Sequence, residues 1–221
     1  MTDYVQGELS RLADPLAASA MAAYMKTDMP FYGVRAPERR PIRRGLASSY
    51  PPADIDEYRR QVLELWALPH REEKYLAIDL AGSHPRFIAR ENLDLYERLI
   101  VEGAWWDLVD EVAVDLVGRV MRSDPESVTP VLRQWIVSDD LWLRRAAIIC
   151  QNKSRAKTAF DLLRQFIELT SHETEFFIRK AIGWALREYS RTETDRVRAY
   201  LTDMGDRLSG LSRREAAKHL S

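Results

Sequence analysis

The sequence predicts an all-α fold, an α–α superhelix built as a HEAT-like repeat solenoid. Three observations predict it. Apolar residues recur at helical spacing in separate stretches, strand and hairpin signals are poor, and a weak internal similarity returns after about 35 residues. The first stripe is Ile55, Tyr58, Val62, Leu65 and Trp66, set between Pro51-Pro52 and Pro69. Gly82-Ser83-His84-Pro85 marks a further break. After Gly103 comes a stripe of Trp105, Leu108, Val109, Val112 and Leu116. Ser123-Asp124-Pro125 opens the next, Val128, Val131, Leu132, Trp135 and Ile136, and Ser138-Asp139 closes it. Leu162, Leu163, Phe166 and Ile167 repeat the pattern. The linkers are short and no low-complexity segment interrupts them, so a single domain is expected over residues 1–221.

Composition bounds the function. At 221 residues with 46% hydrophobic and 30% charged content, the chain can bury a sizeable core and reads as globular. A formal net charge of −1 argues against a general, histone-like nucleic-acid binder, although a local basic surface remains possible. The lone Cys150 precludes an internal disulfide, points to a reducing compartment, and sits in the apolar run AAIIC as a buried, inert thiol. The apolar run Leu16 to Met25 follows Asp3, Glu8 and Asp14, where a secretory leader would carry positive charge. No apolar run is long enough to span a membrane. A cytoplasmic protein with no membrane partner is expected. His70, His84, His172 and His219 are scattered, so no metal site is expected, and without a Gly-rich phosphate loop no cofactor is expected.

The repeat is seen by aligning WLRRAAIIC (142–150) with FIRKAIGWA (177–185), offset by 35 residues. The same step back from Arg145 reaches Asp110, then Tyr75, then Arg40. A step of 34 forward from Lys180 reaches Arg214. The small-residue signature of TPR repeats is missing, which favours HEAT-like pairs. Equivalent positions of stacked repeats share a surface. That surface would carry Arg39, Arg40, Lys74, Arg144, Arg145, Arg179, Lys180, Arg213 and Arg214, with Asp110 as its one carboxylate. No acid occurs from Leu141 to Phe160, where Arg144, Arg145, Lys153, Arg155 and Lys157 all lie. Such a face suits a polyanion, because each phosphate contact releases counterions. The alternative is that the paired bases are solvated or bridged to neighbouring acids.

The stretch GAWWDLVDEV (103–112) places Trp106 and Asp110 at i and i+4, off the core stripe. An exposed tryptophan favours a flat or cationic partner. A carboxylate repels phosphate, so on a DNA-binding face it calls for another purpose. One purpose is to stabilise the oxocarbenium-like state of glycosidic cleavage. The other reading is a partly buried Trp pair with Asp110 in an ion pair to Arg145, or as an inner cap. Trp184, one turn after Lys180, and Tyr24, near Lys26, are further aromatics beside cations.

These stretches resemble the HEAT-like-repeat DNA alkylation repair glycosylases of the AlkD type. The matching segments are MAAYMK (21–26), FYGVRAPERR (31–40), ELWALPHRE (64–72), WWDLVD (105–110), SDDLWLRRAA (138–147), EFFIRKAIGWALREYS (175–190) and LSRREAAKH (211–219). The resemblance implies a basic DNA-binding face, Asp110 as catalytic carboxylate, and Trp106 and Trp184 against the lesion nucleotide. It implies Tyr24 packed on DNA near the lesion, and Arg145, Lys153 and Arg187 at the backbone. The partner would be duplex DNA carrying alkylated purines, 7-methylguanine and 3-methyladenine among them. The enzyme would act as a monomer in base excision repair, nucleoid-associated when bound, and without a base-flipping pocket. No lysine lies in WWDLVD to serve as an amine nucleophile, so a monofunctional glycosylase is expected. Two departures stand out. The chain ends at Ser221, soon after LSRREAAKHL, so a longer tail's contribution would be absent. Asp140 also stands where relatives carry an amide.

Two other functions stay open, a non-catalytic binder of DNA or DNA junctions and a protein–protein scaffold. Clustered, exposed Trp106 and Asp110 favour the glycosylase. A basic ladder with Asp110 locked in an ion pair favours the binder. An apolar concave face favours the scaffold.

Overall fold

The computed structural model describes residues 1–220, whose regular structure is all helical, with no strand among them. The fold class is all-α, consistent with an α–α superhelix. The chain divides into two compact units, Met1–Ile88 and Ala89–Ser221.

The first unit holds α1 (Thr2–Arg11), α2 (Pro15–Met25), α3 (Ala36–Ser49), α4 (Ile55–Trp66) and α5 (Arg71–Ser83). Its core comes from α1, α3, α4 and α5, through Val5, Leu9, Ile42, Leu46, Tyr58, Val62, Leu65 and Leu76. The α4 stripe is the one the spacing predicts, except that Ile55 lies at the helix start and stays partly exposed. The segment FYGVR is held by a buried carboxylate. Glu72 accepts from the backbone N–H groups of Tyr32, Gly33 and Val34 at 2.9–3.0 Å. Gly33 is required there: its φ is +87°, and a Cβ would meet the Asp14 carbonyl at 2.1 Å. The apolar helix α2 is capped by the Asp14 carboxylate but buries none of its residues.

The second unit holds α6 (Leu93–Gly103), α7 (Trp106–Glu111), α8 (Gly118–Ser123), α9 (Pro125–Trp135), α10 (Leu141–Ile149), α11 (Phe160–Thr170), α12 (Phe176–Ser190), α13 (Thr194–Met204) and α14 (Gly210–Ala216). A π-helical stretch, Val112–Val117, joins α7 to α8 without a break. Helices α7, α10, α12 and α14 pack in succession, while α9 and α11 flank α10 and α13 flanks α12. The repeat offset is visible as contacts between side chains. Asp110 meets Arg145, Asp161 meets Arg196, and Lys180 meets Glu215, each pair 35 residues apart.

The π-helical stretch changes one expectation. Leu108, Val109, Val112 and Leu116 are core as their spacing predicts, but Ala113 and Val117 are also buried. The wider π turn spreads the inward face over more positions than a 3.6-residue period allows. Gly103 does not end α6 by its own conformation. Ala104 takes the left-handed one, at φ 38°.

Candidate active site and nucleic-acid interface

From Ala104 the chain passes through Trp105, in extended backbone, directly into α7. The Trp105 ring is seated against Trp142 at 5.9 Å and Phe177 at 5.4 Å, and those two rings lie 4.9 Å apart. This aromatic cluster fixes the start of α7 to α10 and α12. Trp105 therefore caps and anchors α7 from outside it. Trp106 begins the helix, half-buried, with no ring partner among the described residues. Asp110 stands one turn further on.

Asp110 is held in a bidentate pair. Arg145 donates from Nε to Oδ1 and from Nη2 to Oδ2, both at 2.7 Å, and from Nη1 to the Phe177 carbonyl at 2.6 Å. The Arg145 side chain is 6% exposed and that of Asp110 15%. Burial pushes the Asp110 carboxyl above the usual carboxylate value. The hydrogen bonds and charge of Arg145 oppose that rise without cancelling it, and Asp107 adds to it. Arg145 thus ties α7, α10 and the first turn of α12 together through one guanidinium.

The neighbouring bases are also held by acids. Arg144 makes a two-point bridge to Glu173 at 3.1 and 3.0 Å and donates to the Ser138 carbonyl at 2.7 Å. Arg179 donates to the Glu173 carbonyl at 3.2 Å. Glu215, buried on α14, accepts from Lys180 at 2.6 Å, from Lys218 at 2.9 and 3.0 Å, and from Arg187. Burial alone would raise the Glu215 pKa. The bonds from Lys180 and Lys218 and the charge of Arg187 outweigh it and carry the carboxyl down to about 2. Gly183 permits this meeting, since a Cβ there would lie 2.5 Å from the Glu215 Cβ.

Trp184 is partly exposed and donates from Nε1 to Glu188 at 3.3 Å. Lys153 pairs with Asp115 at 2.6 Å in the open, and Arg213 with Asp206 at 3.0 Å. Arg214 is exposed on α14. Asp140 is the N-cap of α10, accepting from the backbone of Trp142 and Leu143 at 2.8 and 2.9 Å, so its charge is directed at its own helix end.

Asp110, Arg145, Arg144, Arg179, Lys180 and Arg187 thus stand on adjoining helices of one unit. The ladder carries more acid than the register alone suggests. Glu173, Glu215 and Asp115 were not singled out as partners, although Glu215 follows Lys180 by the same 35 residues as Arg145 follows Asp110. That offset is the signal that would have found it.

Within the first unit, Tyr24 is 74% exposed on α2. With Met21, Met25, Phe31, Arg39 and Tyr75 it lines a cavity of about 130 Å³. The Arg39 guanidinium lies over the Tyr75 ring at 4.4 Å, and Arg40 is exposed. Lys74 donates to the Trp66 and Leu68 carbonyls at the end of α4, which turns it toward a helix terminus.

A carboxylate held by one arginine on packed helices, with no strand among the described residues, places the chain in the class of all-α proteins consistent with an α–α superhelix. Comparison narrows the class to a family. The family model described as DNA alkylation repair enzyme matches residues 5–220, and the chain belongs to that family. A solved structure, a predicted DNA alkylation repair enzyme from Enterococcus faecalis, is 30% identical over 95% of this chain and 97% of its own, with a TM-score of 0.87. AlkD2 from Streptococcus mutans superposes with a TM-score of 0.64 at 17% identity, over 81% of this chain and 88% of its own. The smu.31 protein from Streptococcus mutans UA159 does so with the same score and identity, over 81% of this chain and 91% of its own. These two show the fold alone. No curated protein matches the chain. No helix among the described residues is long and apolar enough to cross a membrane.

Proposed function

We propose that the protein is a monofunctional DNA glycosylase that releases cationic N-alkylated purines, such as 7-methylguanine and 3-methyladenine, from duplex DNA. The observation that carries this reading is the match to the DNA alkylation repair enzyme family over residues 5–220, with a carboxylate, Asp110, one helical turn from the half-buried Trp106. A lesion nucleotide stacked on Trp106 and Trp184 brings its sugar toward Asp110. The N-glycosidic bond breaks with its electron pair leaving on the base, which departs neutral because it carried the positive charge. The sugar becomes cationic at C1′, and Asp110 stabilises that charge and orients the water that adds to it. The water gives up its proton to solvent. Selectivity comes from the lesion's charge and labile bond, so no enclosing base pocket is needed. Lys153, Lys180, Arg187 and the bases of α14 meet phosphates, exchanging internal acids for external ones, while Arg145 stays on Asp110.

One observation favours a second reading. The Asp110–Arg145 pair is closed at 2.7 Å on both oxygens, as in a protein that binds DNA or a DNA junction without cleaving it. The same experiment separates the two. Release of free base from duplex DNA carrying 7-methylguanine is measured for the native protein and for Asp110→Asn. Release by the native protein, a large drop in the variant and retained DNA binding support the glycosylase. Release no faster than the spontaneous rate, for this lesion and for 3-methyladenine, leaves the binding protein as the better reading.

A further inference from the structure

Unsatisfied polar groups gather in the turn after α10. Within Gln151–Ser154, the Gln151 Nε2, both amide atoms of Asn152 and the Ser154 Oγ are buried without a protein partner. A buried polar atom without a partner has given up its bond to water for nothing in return, so such a concentration calls for a ligand or ordered solvent. The next residue, Arg155, has a positive φ of 52°, a conformation that L residues pay strain to adopt. Its exposed side chain enters no ion pair among the described residues. Asn152, Lys153 and Arg155 line a cleft of about 590 Å³, closed on its other side by Glu188, Arg191 and Thr192 at the end of α12. Glu188 is also the acceptor for the Trp184 indole, so the cleft adjoins a tryptophan of the proposed site.

We propose that this cleft is a nucleotide subsite for the DNA backbone, with Arg155 and Arg191 as phosphate ligands and Asn152 as the polar contact beneath them. The volume lies in the range of small-ligand sites and the lining carries three cations against one acid. Lys153 and Arg191 are partly neutralised, by Asp115 at 2.6 Å and Glu188 at 3.1 Å. Arg155 is not, and it supplies the strongest field for a phosphodiester. The Asn152 amide offers a donor to a phosphate oxygen and an acceptor to a sugar or base group. The inference rests on the DNA-binding reading above.

The test is fluorescence anisotropy of a labelled duplex oligonucleotide, titrated at several salt concentrations. Arg155→Ala is expected to weaken binding about tenfold and to lower the slope of log K against log salt by about 1, as for one lost phosphate contact. Asn152→Ala is expected to weaken binding with the slope unchanged. Arg133→Ala, which removes an exposed base on α9, is expected to match the native protein. Native affinity and native slope in both Arg155→Ala and Asn152→Ala, while the native protein binds duplex, would overturn the subsite alone. An equal loss in Arg133→Ala would overturn it too, because the effect would then be overall charge. Failure of the native protein to bind duplex at any salt overturns the DNA-binding reading and the subsite with it.

Discussion

Arg145→Ala removes the guanidinium that holds three elements together. Two of its hydrogen bonds go to the Asp110 carboxylate at 2.7 Å and one to the Phe177 carbonyl at 2.6 Å. Bonds to charged groups contribute about 1.5–3 kcal/mol each, but the desolvation of Arg145 offsets much of that. The larger effect is the carboxylate left behind. Unpairing one member of a buried ion pair costs about 3–5 kcal/mol. Urea unfolding at pH 7, followed by circular dichroism, should show a loss of that size. The pH dependence has a definite sign. Burial already holds the folded pKa of Asp110 above its unfolded value, so its contribution to stability is present below the unfolded pKa and lost as pH rises through the folded one. Removing Arg145 removes the influences that lower that pKa. The variant should therefore lose stability more steeply with rising pH than the native protein, and Asp110→Asn added to it should restore part of the loss. A loss below about 1 kcal/mol, the scale of a surface ion pair, or no gain from the second substitution would refute the reasoning.

Two further outcomes are expected. Glu215→Gln should destabilise the protein by about 3 kcal/mol at pH 7, from a carboxyl pKa that falls from 4.5 to about 2 on folding. In the native protein this stabilisation is present above pH 4.5 and lost as pH falls through about 2, and acid unfolding of the variant should lack that component. Gly183→Ala should cost about 1–3 kcal/mol by overpacking, because the new Cβ meets Glu215 and the Ser212 carbonyl at 2.5–2.9 Å. A melting temperature within a degree or so of the native value would show that α14 can shift aside.

Much of this was legible in the sequence because the physics was local. Proline, Ser-Asp-Pro and Ser-Asp punctuation marks the ends of α3, α4, α8 and α9, and helical spacing marks the faces of α4, α9 and α11. The 35-residue offset sets Asp110 and Arg145 at equivalent positions, and their ion pair is one of the two readings the sequence leaves open. What stayed hidden depends on geometry that no spacing rule contains. Glu215 looks like an ordinary surface acid until α12 and α14 cross closely at Gly183. Trp105 fits an apolar stripe on paper, yet it caps α7 because Ala104 turns the chain one residue earlier. The orphaned amide of Asn152 shows itself only when the turn after α10 is folded.

The π-helical stretch acts as a phase adjuster within one continuous helical rod. On its N-terminal side, Asp110 must face Arg145, which holds it at two points. On its C-terminal side, Gly118 must face the Cys150 carbonyl, which a Cβ there would approach to 2.2 Å. In a plain α-helix these two requirements share one rotation, and losing a single residue from Val112–Val117 would turn one end against the other by about 100°. With the wider turn between them, the Asp110 end and the Gly118 end are phased separately. Substitutions that retune one need not disturb the other, whereas a one-residue deletion in the stretch would force a choice between them.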